Sequence, residues 1–200
     1  MNRLTRSAAG LIIALLALSF SGCDDDSDVI GLNDATKYGY IKLTFDGSRP
    51  DGVDLKVTKN YKFMTGSGPA SSSTVNIIED GTTYYDFHVT RLFDAFDATA
   101  NAATINLNAR EDNGELIVED ASVAARNALV FKDKTAFNLN ISFGEIAPED
   151  ITSFTYNEET GKLVIKFTTV VSADWNNSGS DLTVTGEVRV TVYQSLNIVG

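Results

Sequence analysis

The sequence predicts an all-β protein, an antiparallel β-sandwich of roughly ten strands, on three observations. From about Tyr38 onward, apolar and polar residues alternate along one segment after another, as in strands with one face in a core and the other in solvent. Thr, Val, Ile, Phe and Tyr are abundant in these segments and suit a pleated, half-buried surface. Asp-Gly and Asn-Gly turn signals separate the segments. A closed β-barrel fits the same pattern and is the alternative architecture.

The alternating segments define which side chains we expect to share one core. Only Gly186 interrupts the last segment, which indicates a β-bulge or a close backbone approach at that point. The predicted core residues are, in chain order, Ile41, Leu43, Phe45, Leu55, Val57, Tyr85, Phe87, Val89, Ile105, Leu107, Phe137, Leu139, Ile141, Phe143, Leu163, Ile165, Phe167, Leu182, Val184, Val188, Val190 and Val192.

Turn chemistry places several connections between the strands. Residues 112–114 (Asp-Asn-Gly) and 158–161 (Glu-Glu-Thr-Gly) each lie between two alternating segments and predict hairpins. Two alanine-rich segments, residues 91–103 and 119–129, lack strict alternation. Because alanine favours the helical backbone, we expect one or two short helices there, crossing the end of the sheets.

Length and charge limit the possible roles of the chain. Its 200 residues correspond to a single domain, which we expect to span residues 38–200. The formal net charge is -11 and the isoelectric point is about 4.4. Phosphates of nucleic acids and anionic lipid headgroups repel an acidic body, so neither is expected as a direct partner.

The first residues have the layout of a secretory signal. Arg3 and Arg6 provide a positively charged start, and the thirteen residues from Ala8 to Phe20 are uncharged and mostly apolar. At 1.5 Å per residue this segment is about 20 Å long as a helix. A hydrocarbon core is about 30 Å thick, so a removable signal is favoured over a permanent membrane span.

The apolar segment ends at the only cysteine of the chain. Two small residues, Ser21 and Gly22, directly precede Cys23. This arrangement resembles the lipobox of bacterial lipoproteins, and the resemblance covers about the first tenth of the chain. It implies that residues 1–22 are removed and that Cys23 carries a diacylglycerol and further fatty acid, such as palmitate. Several acyl chains give stable anchoring in a lipid bilayer, since each buried methylene contributes about 0.8 kcal/mol.

An acidic segment follows the cysteine, and we expect residues 23–37 to form an extended, flexible tether. Asp24, Asp25, Asp26 and Asp28 lie within five residues, and like charges this dense repel one another. The segment resembles the surface-export signal of Bacteroidota lipoproteins, whereas Asp beside the lipidated cysteine resembles the inner-membrane retention signal of enterobacteria. The expected location is the cell envelope, with the outer membrane or cell surface favoured and the inner membrane as the alternative.

Catalytic motifs are scarce in the sequence. His88 is the only histidine, and a general base beside Tyr84 is one interpretation of it, although a surface cross-strand histidine is the favoured one. The sequence contains neither a GxSxG motif, nor a P-loop, nor a GxGxxG motif, so nucleotide cofactors and a nucleophile elbow are unsupported. No catalytic residue is assigned.

One loop, residues 174–179, carries two competing hypotheses. Trp175, the only tryptophan, is a candidate for stacking on a sugar, with Asp174 and Asn176 binding its hydroxyl groups. The same segment matches the first half of an EF-hand loop but has Thr185 where the bidentate Glu belongs. We therefore expect no metal. If the loop does bind one, the candidate cofactor is Ca²⁺ and the candidate ligands are Asp174, Asn176, Ser178 and Asp181.

The sequence leaves three candidate functions. The favoured one is a non-catalytic, membrane-anchored binding module whose partner is a glycan or another envelope protein. The second is a polysaccharide-acting enzyme that uses carboxylates and tyrosines. The third is a structural or assembly lipoprotein of the cell envelope, whose strand edges pair with partner strands.

Lipidation can be tested at the cysteine. We expect Cys23→Ser to remove the acyl acceptor, leaving a precursor that is not labelled when cells are fed a clickable palmitate analogue. Normal labelling of this variant would exclude Cys23 as the lipidated residue. The cysteine-containing parent chain, labelled in parallel, provides the reference signal.

Overall fold

The computed structural model describes residues 38–63, 71–79, 81–93, 101–132 and 135–195. The expected signal peptide, Cys23 and the acidic tether lie outside these ranges. Within them the chain forms two short 3-10 turns, Pro148–Asp150 and Ala173–Trp175. It also forms eleven strands: β1 (Gly39–Ser48), β2 (Asp54–Lys62), β3 (Ser72–Glu79), β4 (Thr83–Leu92), β5 (Ala102–Asp112), β6 (Glu115–Lys132), β7 (Thr135–Ile146), β8 (Ile151–Asn157), β9 (Lys162–Val171), β10 (Leu182–Thr191) and β11 (Tyr193–Gln194).

The strands form two facing layers, which confirms the predicted sandwich. The first layer has the order β7-β6-β5-β4-β3-β11 and the second has the order β2-β1-β10-β9-β8. All pairs are antiparallel except β11 with β3. A single residue pair, Lys62 with Leu92, joins β2 to β4 and so connects the layers. The described sheet does not close into a barrel, so the alternative architecture is wrong.

The core lies between the layers and contains nearly all of the predicted residues. Phe87 of β4 contacts Phe154 and Tyr156 of β8, with ring centroids 6.0 and 5.0 Å apart. Both predicted hairpins are present, between β5 and β6 and between β8 and β9. The alternation is confirmed in every predicted strand, with one exception, Phe143, which is 43% exposed.

Gly186 marks a close approach and not a bulge. The register between β10 and β9 runs through it without a shift, and it pairs directly with Phe167. A Cβ atom at position 186 would lie 2.2 Å from two ring carbons of Phe167. The missing side chain therefore makes room for the aromatic ring, which covers the glycine.

The expected helix over residues 119–129 is wrong, because that segment lies inside β6. Ala121, Val123 and Ala125 are buried in alternation, and β6 pairs with β5 on one side and β7 on the other. Burial and pairing on both sides outweigh the modest helical preference of alanine. Two register shifts interrupt β6–β7, with Asn127 in the left-handed region at φ 50° beside the second.

The other expected helix is also wrong at its two ends. Arg91 and Leu92 complete β4, and Ala102 begins β5. Residues 94–100, between them, lie outside the described part of the chain.

Among the described residues, Arg91 is the largest completely buried side chain, and it lies where the two layers meet. Its guanidinium donates to the carbonyl oxygens of Tyr38 (2.6 Å), Gly39 (3.3 Å), Ser72 (2.8 Å) and Thr90 (2.9 Å). It also donates to the hydroxyl of a fifth neighbour, Ser73, at 2.7 Å. These bonds connect the starts of β1 and β3 to the end of β4.

Burial lowers the pKa of Arg91 to about 10, so the guanidinium is still charged at pH 7. Five hydrogen bonds to neutral oxygens offset the desolvation of that charge. No carboxylate in the described ranges is hydrogen-bonded to it.

Removing the guanidinium is expected to destabilise the whole fold. Arg91→Met keeps much of the volume but leaves buried carbonyl oxygens without donors, so we expect it to lower the free energy of unfolding by roughly 3–5 kcal/mol. Urea denaturation followed by circular dichroism measures the change. Arg126→Met, at an exposed position of β6, is the control and should shift stability by about 0.5 kcal/mol or less. Equal stability of the two variants would contradict the role assigned to Arg91.

Candidate functional site

The β9–β10 connection, residues 172–181, is docked against the edge of β7. The amide of Asn177 donates to the carbonyl of Asn140 at 3.2 Å, and the amide of Asn140 donates to the Asn177 side-chain oxygen at 2.7 Å. The Ser142 hydroxyl donates to the Trp175 carbonyl at 3.1 Å. The connection therefore occupies an edge that would otherwise present unpaired backbone groups.

The side-chain amide of Asn176 organises this connection from inside. Its nitrogen donates to the carbonyl oxygens of Val171 (3.2 Å), Ser172 (2.9 Å) and Ser180 (3.0 Å). Its oxygen accepts from the backbone amide and the hydroxyl of Ser178, at 2.8 and 2.5 Å. One asparagine thus satisfies both ends of the loop, a role that small polar side chains often fill in turns.

Three of the four candidate calcium ligands, Asn176, Ser178 and Asp181, have protein partners in this arrangement. The Asn176 oxygen is bonded to Ser178, and an Asp181 oxygen accepts from the Ala173 amide at 3.0 Å. Ser178 is completely buried. Among the described residues, no three His, Cys, Asp or Glu are grouped so that they could hold a metal ion. Calcium ligation by this loop therefore stays a prediction of the sequence alone.

Trp175 and Phe143 form an exposed aromatic pair, which we call the Trp–Phe platform. Their rings meet edge to face, with centroids 5.6 Å apart and an interplanar angle of 68°. Trp175 is 52% exposed and Phe143 43% exposed. Together they present a substantial aromatic area to solvent, beside the exposed side chains of Asp174 and Ser142.

Phe143 belongs to the platform because β7 changes its alternation. The register of β7 with β6 shifts between Ile141 and Gly144, so Gly144 takes the inward position and Phe143 turns outward. A Cβ atom on Gly144 would lie 2.6 Å from the Val171 side chain, so no larger residue fits there. Alternation alone does not predict this partner of Trp175. The one feature of the sequence that could have indicated it is a glycine directly after an aromatic residue in an alternating strand.

Of the three predicted ligand-binding residues, two face solvent. Trp175 and Asp174 are exposed. The amide of Asn176 is used within the loop, so this residue positions its neighbours and does not contribute free hydrogen-bonding groups.

His88 lies on the outer face of the first layer, in the orientation that the alternation predicts. Its Nδ1 is 2.7 Å from the Asn106 side-chain oxygen, and its Nε2 is 3.3 Å from the Thr90 hydroxyl. The Asn106 amide in turn donates to the Ser122 hydroxyl at 3.3 Å. His88 is therefore one member of a polar ladder that crosses β4, β5 and β6.

No family model, no curated protein and no solved structure matches the chain. In the part of the chain that the structure describes, no helix has the length and apolarity needed to span a bilayer.

The fluorescence of Trp175 can report whether the hydrogen bonds of Asn176 hold the loop in place. We expect Asn176→Ala to free both ends of the loop, costing about 2 kcal/mol and increasing acrylamide quenching of Trp175 fluorescence. Because Trp175 is the only tryptophan, the signal has a single source. Asn138→Ala keeps the carbonyl that accepts from Asn177 and Asn140 and serves as the control. Unchanged quenching in Asn176→Ala would contradict the organising role of this side chain.

Proposed function

We propose that this chain is a lipid-anchored, non-catalytic module of the bacterial cell envelope that binds glycan through the Trp–Phe platform. The observation that supports it best is the pair itself, Trp175 and Phe143, both about half exposed and in mutual contact. Aromatic faces stack on the apolar face of a sugar ring while neighbouring polar groups take its hydroxyls.

The backbone around the platform is fixed before any ligand arrives. The Trp175 amide donates to the Ser172 carbonyl at 3.0 Å, and its carbonyl accepts from Ser142. On the other side, Phe143 lies in a strand paired with β6. A surface fixed in this way loses less conformational entropy on binding, which favours useful affinity for a weakly held ligand such as a sugar.

The hydrogen-bond partners of His88 weigh against the enzymatic alternative. Both ring nitrogens of His88 have cross-strand or same-face partners. A general base needs an oriented nitrogen directed at a substrate in a concave site. The enzymatic hypothesis also requires carboxylates and tyrosines that act together, and the sequence assigns no particular residues to that role.

Strand addition to the outer edge of β8 supports the assembly alternative less well. This strand pairs only with β9 and has seven residues, which limits the ladder that a partner strand could form. The edge strand β7 of the first layer is already contacted by the loop that carries Trp175.

The anchoring part of the proposal rests on the first 37 residues. The signal layout, the small residues before Cys23 and the acidic tether favour export and lipidation. A tether between the lipid and β1 would hold the platform near a membrane surface, where a surface glycan or an envelope polysaccharide is accessible.

The platform can be tested on a glycan array with the full chain in a non-ionic detergent. We expect Trp175→Ala to weaken binding to the best glycan at least about tenfold, since tryptophan at the centre of a contact often contributes 2 kcal/mol or more. Phe131→Ala removes another strongly exposed aromatic residue and should leave binding unchanged. A flat array for the parent chain, or equal losses in both variants, would refute glycan binding at the platform.

A further inference from the structure

The outer face of the second layer is positively charged, although the chain as a whole is acidic. The outward positions of β1, β2, β9 and β10 carry six of the sixteen Lys and Arg residues, but only three of the 27 acidic ones. The cationic residues are Lys42, Lys56, Lys62, Lys162, Lys166 and Arg189, and the acidic residues are Asp46, Asp54 and Glu187.

A groove with a volume of about 210 Å³ lies on this face. It runs between a row of short hydroxyl side chains and a parallel row of long charged ones, and both rows cross β1, β10 and β9 in register. The first row is Thr44, Thr185 and Thr168, and the second is Lys42, Glu187 and Lys166.

The charge of Glu187 is compensated from the side away from the threonines. Its carboxylate accepts from the Tyr40 hydroxyl at 3.2 Å and from the Arg189 guanidinium. The hydrogen bond from Arg189 lowers the pKa of Glu187 below its ordinary value. Lys42 and Lys166 therefore flank a carboxylate whose charge is compensated, on strands that lie two spacings, roughly 10 Å, apart.

We propose that this groove binds an oxyanion, a sulfate or carboxylate group, of a polyanionic glycan. The ammonium groups of Lys42 and Lys166 attract the negative charge. The Thr168 and Thr185 hydroxyls lie 3.2 Å apart and the Thr44 hydroxyl lies 2.8 Å from that of Thr58, so each of these two pairs retains one hydroxyl proton for the oxygens of the ligand. The inference goes beyond the proposed function, because the Trp–Phe platform contributes no residue to the groove.

Shape and net charge favour a glycan over an anionic membrane as the occupant. A flat bilayer meets protruding residues, whereas the threonine hydroxyls lie in a depression that a glycan substituent can enter. A bilayer is also an extended charged surface and would be repelled by the remainder of a chain with net charge -11. A local substituent responds mainly to charges within a Debye length of about 8–10 Å, which here include Lys42, Lys166 and the mutually compensated pair of Glu187 and Arg189.

The test measures the affinity of the full chain, in non-ionic detergent, for dextran sulfate and for polygalacturonate, with unmodified dextran as the neutral reference. We expect the double variant Lys42→Gln/Lys166→Gln to lose at least about tenfold in affinity. The control Lys56→Gln/Lys162→Gln removes the same charge from the same face but lines no part of the groove, and should lose less than about threefold. Urea denaturation verifies that both variants are folded.

Binding of either polyanion with this difference between the two variants supports the proposal and identifies the oxyanion. Equal losses of affinity in the two variants would mean that the whole face attracts the polyanion diffusely, and would overturn the groove as the binding site. Binding to phosphatidylglycerol vesicles but to neither polysaccharide would assign the face to a bilayer and also overturn it. Trp175→Ala should not alter dextran sulfate binding, so failure at the platform and failure at the groove can be distinguished.

Discussion

A charged guanidinium holds together the place where the two layers of the sandwich meet. Arg91 receives no carboxylate partner from the described residues and instead bonds to five neutral oxygens from β1, β3 and β4. Burying such a charge costs several kcal/mol, and the bonds offset that cost only if all the oxygens are in place. The junction is therefore stable only when all five oxygens surround the guanidinium. The Lys62–Leu92 pair joins the layers at this same junction. Elsewhere the layers are joined by the bonds between β7 and the β9–β10 connection.

The position of β1 determines which side chains of the second layer face outward. With β1 in place, its register against β2 and β10 brings threonines and lysines into rows on a single face. Alternation then fixes which residues face outward, since every second residue of each strand lies on that face. Both candidate binding surfaces occupy positions that the core does not need: the groove on an outer face and the Trp–Phe platform where a loop meets a strand edge. Chemistry placed there can vary without loss of packing.

Local irregularities decide the positions where alternation fails. Alternation predicts Phe143 in the core, but Gly144 takes the inward position beside Val171 because only a glycine fits there. Alanine content predicts a helix over residues 119–129, but their small side chains pack at the interior of a strand paired on both sides. The same alanine-rich pattern predicts Arg91 in a helix. Continuing the alternation of Tyr85, Phe87 and Val89 by one step places Arg91 on the core face, a position that charged side chains rarely occupy.

The sequence by itself determined the fold class, the core faces of most strands, the hairpins and the solvent-facing orientation of His88, because these follow from a period of two and from local turn chemistry. It also identified Trp175 as a candidate, since a lone tryptophan in a polar loop is visible without coordinates. Only the tertiary structure decided that Phe143 joins Trp175, that Asn176 supports the loop, and that Lys42 and Lys166 border one groove. Each of these depends on which strands are neighbours and in what register, and pairing between distant segments is not encoded in any local pattern.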